Sequence, residues 1–279
     1  MKVGFIGAGR VGCSLGRYLL ENNYPIAGYY SKSPSSAAWA ADFTKTISYH
    51  TMKQLVEVSD VLFLTVPDSA IEQVYGQLKE ENLSGKILCH CSGAMASSVF
   101  ADIEERGAFA YSIHPFYAIS NKETSYLDLG QAFFTVEGSP EHLEDMCGIF
   151  RSAGNRVQVI DAEQKVLYHA AASAASNFMV ALSDYALGLL SQCGFTKEAA
   201  LGALGPIMRG NMETVLAVGP EKALTGPIAR NDQDTVRKHM AAINEADRGL
   251  YRELARRTLT VAKAKNPQVD YQEMEEILQ

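Results

Sequence analysis

The sequence has 279 residues and a formal net charge of −7, with lysine and arginine scattered among the acids; a broad nucleic-acid footprint is excluded, and an anionic small molecule would need local cations. The length allows a sizeable core and two domains. No uninterrupted apolar stretch is long enough to cross a bilayer and a strand-like run already begins at Lys2, so no membrane partner and a cytoplasmic location are expected.

From residue 2 to residue 160 the chain repeats an order of apolar run, turn and amphipathic helix. "KVGFIG", "PIAGYY", "KTISY", "DVLFLTV", "KILCHC", "AFAYSIH", "AFFTVEG" and "RVQVID" read as strands, with helical spacing such as Val11, Leu15 and Leu19 between them. That alternation predicts an α/β fold, a doubly wound, mostly parallel sheet of the Rossmann type.

The first strand runs into Gly7, Ala8, Gly9, Arg10, Val11 and Gly12, a G-x-G-x-x-G turn at the opening of a helix. Gly7 suits the tight turn, Gly9 the approach of a pyrophosphate and Gly12 close helix–strand packing, with free N–H groups and positive potential at the helix start. Where the second strand ends, a ribose-binding acid is replaced by Ser31, Lys32 and Ser33. With donors and no carboxylate there, NADP is expected rather than NAD, although Lys32 also reads as a solvated loop lysine.

The fourth strand candidate ends at Val66 and Pro67, placed to edge the same crevice, and Asp68 is expected to cap the next helix. Cys89, His90 and Cys91 alternate faces of the following strand and are read as buried core rather than as metal ligands, and the five cysteines as reduced thiols. Ser92 and Gly93 then fall at the carboxyl edge of the sheet, where they could face a nicotinamide or form an ordinary turn. His114 ends a further strand, with Pro115 stopping the ladder. It is expected to line a substrate pocket, and Tyr117 and Tyr168 to be packing aromatics.

After Asp161 the strand signal disappears. Residues 162–194 predict one long, buried helix, on which His169, Ser173 and Asn177 form a polar stripe at i, i+4 and i+8. His169 reads as a general acid or base with Ser173 and Asn177 orienting a substrate, or as a core histidine bonded to a backbone carbonyl. Further helices are expected over 197–218, with Gly205 and Pro206 a candidate break, and over 232–247, 248–265 and 270–278. His239 is expected to be exposed, Asn231 to cap the helix starting near Asp232, and Arg230 either to grip a substrate carboxylate or to be a surface arginine.

The glycine turn, "FLTVPDSAI", "HCSGA", "IHPF", "YHAAASAASNF" and "LTGPIARND" together resemble an uncharacterised family that joins a Rossmann-like NADP-binding domain to a helical C-terminal domain of unknown function. That group is similar to deazaflavin-dependent NADP oxidoreductases and lies in the 6-phosphogluconate dehydrogenase-like superfamily, with ketopantoate reductase, pyrroline-5-carboxylate reductase and prephenate dehydrogenase. The resemblance covers essentially the whole chain. Hydroxyacid members carry a catalytic lysine followed four positions later by asparagine; the matching pair here looks like His169 and Ser173, with Lys165 one turn earlier. It implies a dinucleotide-binding domain over 1–160, an all-helical substrate and dimerisation domain over 161–279, and a homodimer through the latter.

The reading is an NADP(H)-dependent oxidoreductase moving a hydride to or from a small, carboxylated carbonyl, imine or hydroxy compound. The alternatives are a non-catalytic NADP-binding or redox-sensing dimer, and oxidative decarboxylation resembling prephenate dehydrogenase, which needs an arginine near His114.

Overall fold

The computed structural model describes residues 1–279, which divide into two compact units, Met1–Phe178 and Met179–Gln279. In the first, eight strands form one sheet: β1 (Val3–Ile6), β2 (Ile26–Tyr30), β3 (Ile47–Ser48), β4 (Val61–Leu64), β5 (Ile87–His90), β6 (Phe109–Phe116), β7 (Phe133–Gly138) and β8 (Arg156–Val159). Their order is β3-β2-β1-β4-β5-β6-β7-β8. Every neighbouring pair is parallel except β6 and β7. The eight expected strands are all present and the doubly wound Rossmann-type fold is the one found, but β6 does not stop at His114: Pro115 and Phe116 continue it, facing Phe134 and Phe133 of β7.

Both faces of this sheet are covered, which is why the inner strands are apolar at successive positions rather than at alternate ones. Phe5 and Phe63 stack on one face, while Ile6, Leu62, Leu64 and Leu88 point to the other. On the Phe5 side lie α1 (Arg10–Glu21), α2 (Pro34–Thr44) and α5 (Leu143–Ser152). The Ile6 side takes α3 (Met52–Val58) and α4 (Asp68–Leu78). Because the parallel strands run the same way, the carboxyl ends of β1, β4 and β5 open onto one edge. Ligands bind at that edge in open sheets of this kind.

The expected single long helix is two: α6 (Lys165–Ala175) and α7 (Asn177–Gln192), separated at Ser176, whose φ of −115° and ψ of −74° leave the helical well. Ser and Asn side chains compete with the helical ladder for backbone groups, and here they stand next to each other. Nor is this segment buried as expected: α7 contains no buried residue, and of α6 only Lys165 is buried.

The second unit continues with α8 (Lys197–Val218), α9 (Pro220–Ala223), α10 (Gln233–Ala242), α11 (Glu245–Lys265) and α12 (Gln272–Ile277). Pro206 sits inside α8 without breaking it. Its small core gathers Val236, Leu259, Ala262, Tyr271 and Met274. The break between α10 and α11 falls earlier than expected because Asn244 caps α11, accepting from Asp247 N at 2.9 Å. Likewise Asp232, not Asn231, caps α10 by accepting from Thr235 N at 3.1 Å; Asn231 lies at a φ of +56° and donates instead to Asp270 O. His239 is exposed and bonds the Tyr251 hydroxyl at 2.8 Å. No helix is long and apolar enough to cross a membrane.

Candidate functional site

At the end of β1 the backbone of Gly7 has a φ of +110°, and a Cβ there would lie 2.7 Å from Thr65 O, so only glycine makes this turn without strain. The Thr65 hydroxyl locks it by donating to Gly7 O at 2.8 Å. Gly12 is equally confined, since its Cβ would meet Thr65 Oγ1 at 2.4 Å. Gly9 differs: a Cβ there would meet no protein atom within 4 Å. It occupies the N-cap of α1 with no side-chain cap and no acid in the first turn, leaving the helix N–H groups and their positive potential facing open space. The residues present therefore fit a diphosphate.

The adjoining cleft has a volume of about 510 Å³ and is lined by Gly7, Ala8, Gly9, Ser31, Lys32, Val66 and Pro67, among others. Lys32 is its only charged lining side chain, and no carboxylate faces it. Arg10, Val11, Gly12, Ser33, Ser92 and Gly93 lie outside this lining. The Arg10 guanidinium donates to Ser120 O at 3.4 Å, and the Ser33 hydroxyl is spent as the N-cap of α2. Ser36, one turn into α2, lines the cleft in its place, a residue that sequence reasoning passed over.

Further along the same edge, β5 ends in the Ser92–Gly93 turn. Asp68 does not cap α4, because Pro67 holds that position; its carboxylate accepts from the Ser92 hydroxyl at 2.6 Å. Ser92 Oγ accepts in turn from the amides of Ala94 and Met95 at 3.2 and 3.0 Å. Behind the turn, His90 is fully buried, accepting from Ser92 N at Nδ1 and donating from Nε2 to Ala96 O. Burial pushes its pKa down to about 4.

Opposite Gly93 two imidazoles meet. A Cβ on Gly93 would fall 2.6 Å from His169 Nδ1 and 3.0 Å from His114 Nε2, so the absent side chain is what leaves both rings access to one point. The rings stand edge to face with centroids 6.3 Å apart. His114 pairs its other nitrogen, Nδ1, with the Tyr168 hydroxyl at 2.7 Å. Burial, reinforced by the charge of Lys165, lowers the His114 pKa to about 4; burial holds the Tyr168 phenol above its ordinary range. Tyr168 is thus a polar partner of the site and not merely the packing aromatic expected. A cavity of about 330 Å³ beside these rings is lined by Phe116, Tyr117 and Ala118 and by Ser173, Ser176 and Asn177. His169, Ser173 and Asn177 thus share one cavity wall across the helix break at Ser176.

Lys165, one turn before His169, is a site residue that the sequence pattern alone does not assign. It is 1% exposed, and its Nζ donates to Ser92 O at 3.0 Å and to Ser112 Oγ at 2.6 Å. Burial lowers its pKa to about 8, opposed by the Glu137 carboxylate. Its spacing of four from His169 placed it on the same helix face, a signal available in the sequence. Arg230, in the second unit, forms no ion pair; it lies in the loop before α10, where the Asp232 carboxyl is held below its usual range first by the Thr235 hydrogen bonds and then by the Arg230 charge.

Residues 1–115 match the family of Rossmann-like domains, and residues 132–258 match a domain of unknown function, DUF2520. A crystal structure of a Thermotoga maritima protein superposes with a TM-score of 0.75 at 28% identity, covering 95% of this chain and 99% of that one. The reductive aminase from Aspergillus terreus, in complex with NADPH and ethyl-5-oxohexanoate, shares the fold with a TM-score of 0.63 at 17% identity, covering 99% and 89%. By sequence the chain is 22% identical over 222 residues to the pyrroline-5-carboxylate reductase of Methanosarcina acetivorans, which covers 78% of this chain and 80% of that protein. The chain accordingly joins a Rossmann-like domain to a DUF2520 domain, with a helical C-terminal region.

Proposed function

We propose that the protein is an NADP(H)-dependent oxidoreductase that moves a hydride to or from a small carbonyl, imine or hydroxy compound. The observation that carries this reading is the convergence of His114 Nε2 and His169 Nδ1 on Gly93, on the sheet edge that also bears the glycine turn. The fold shared with proteins described as reductases supports it.

In this proposal Gly7 to Gly12 hold the diphosphate at the start of α1, and Ser31, Lys32 and Ser36 receive the 2′-phosphate in a cleft with no carboxylate to repel it. NADPH, when bound, supplies the hydride. His169 gives a proton to the oxygen or nitrogen of the bond being reduced, or removes it in the reverse direction. His114, its ring kept neutral, lines the pocket with Nε2, and Ser173 and Asn177 orient the substrate. No lysine or arginine lines this cavity, so the proposal leaves out the substrate carboxylate expected from the sequence, and no observation favours oxidative decarboxylation over it.

Residues 1–160 are assigned to the coenzyme and 161–279 to substrate contacts and dimerisation. A second copy is the proposed cover for the apolar side chains of α7 and α8, where Val180, Ile207 and Leu216 are 70%, 60% and 79% exposed.

The test is NADPH oxidation across a panel of keto, imino and aldehyde compounds with wild type and His169→Ala. Once a substrate is found, the variant is expected to bind NADPH as wild type does and to turn over roughly 10²–10⁴-fold more slowly, the usual worth of a positioned acid. Equal turnover removes His169 from the role; tight NADPH binding with no transfer to any compound favours a sensor.

A further inference from the structure

Lys165 is the only lysine or arginine among the chain's buried residues, and no carboxylate approaches its ammonium within ion-pair distance; its partners are a backbone carbonyl and a hydroxyl. Burying a cation without a counter-ion is expensive, and apolar side chains of similar volume commonly serve a fold as well as buried ions do. A purely structural role therefore explains Lys165 poorly.

Its contacts converge on one residue. Lys165 Nζ and Ser112 Oγ both donate to Ser92 O, at 3.0 and 3.2 Å, and Lys165 also donates to Ser112 Oγ. The other end of Ser92 is held by Asp68 and by two amides of its own turn. Lys165 and His169 sit one turn apart on α6. The same turn of helix that presents the imidazole is thus tied to the strand end it faces, and the residue next to the tie is Gly93, where a Cβ would meet both His169 and His114.

We infer that Lys165 is a positioning residue: its ammonium fixes the Ser92–Gly93 peptide against α6 and so sets the gap between Gly93 and the two imidazoles. The inference rests on the hydride-transfer reading for its purpose, but its geometry can be tested without a substrate.

The experiment is NMR of the full chain, wild type against Lys165→Met and Ser112→Ala, following the Gly93 amide and the nuclear Overhauser contacts from Gly93 Hα to the rings of His114 and His169, with NADPH affinity measured in parallel. Between pH 7 and 9 the wild-type Gly93 amide is expected to follow a transition centred near 8. The other titratable groups facing Lys165 or Gly93 are His90 and His114, held down to about 4, Cys91, pushed up to about 12, Tyr168, held above its ordinary range, and His169, Asp68 and Glu137, so the transition belongs to Lys165 where it vanishes with the ammonium. Lys165→Met is expected to lose this transition and at least one ring contact, while its NADPH dissociation constant stays within about twofold, because Lys165 does not line the nucleotide cleft. Ser112→Ala keeps the ammonium, deletes one acceptor, and is expected to weaken the same contacts; it carries the test should Lys165→Met fail to fold. Unchanged Gly93 contacts in a folded variant overturn the inference. Failure of wild type to bind NADPH overturns the functional reading instead, and leaves the Gly93 result to judge the tether separately.

Discussion

His90 and His114 are both imidazoles held neutral, and each records how its surroundings were built. His90 spends both nitrogens on the turn behind Gly93, whereas His114 spends one on Tyr168 and turns the other to the cavity. Both have pKa values near 4 against an ordinary 6.5. The folded state therefore binds fewer protons than the unfolded state between pH 4 and 6.5, so stability rises with pH across that window and is lost as pH falls through it. For fully buried His90 the loss is expected to be about 3 kcal/mol, read as the change in urea-unfolding free energy from pH 7 to pH 4. His90→Asn should show a flatter acid limb even though it starts less stable; an identical limb contradicts the assignment. At this scale the sequence revealed residue types and positions, such as His114 before a proline and His169 on an alanine-rich helix. It concealed partnership: the Tyr168 hydroxyl and the Lys165 ammonium reach β5 and β6 across more than 50 residues of chain, and no local spacing encodes that.

Among the elements, all eight strands were legible because apolar runs bounded by turns survive any tertiary context. Helix ends were less so. The stretch from 162 to 194 reads as one helix by composition, yet a Ser-Asn step divides it; propensity summed over a window dilutes a single unfavourable step. The start of α10 shows a second limit. Asn231 and Asp232 are both good capping residues, and the choice falls to Asp232 because Asn231 takes a left-handed conformation to reach Asp270 O. Asp232→Ala is accordingly expected to lower stability by about 1 kcal/mol, and Asn231→Gly, which relieves the positive φ, to change it by less than about 0.5 kcal/mol. Chemical denaturation of the two variants checks this; the reverse ranking would mean that the Asn231–Asp270 hydrogen bond, and not the Asp232 cap, holds the start of α10.

For the molecule as a whole, the glycine turn, the Ser92–Gly93 turn and the imidazole pair all sit on the first unit, gathered at one edge by strands that run the same way. Fold class followed from the alternation of elements alone. The site followed only in part, since the sheet sets β4 beside β1, out of chain order, and the residues that meet near Gly93 come from β6 and α6. The central claim is that this edge grips a dinucleotide through the backbone around Gly9. Calorimetric titration of NADPH and NADH into wild type and Gly9→Val tests it most directly, because a side chain at Gly9 meets open space in the protein, at a φ of −85° that valine tolerates. Wild type should bind NADPH more tightly than NADH, and Gly9→Val should keep the wild-type melting temperature while losing most of its NADPH affinity. Undiminished binding by that variant, or no binding by wild type, would contradict the claim.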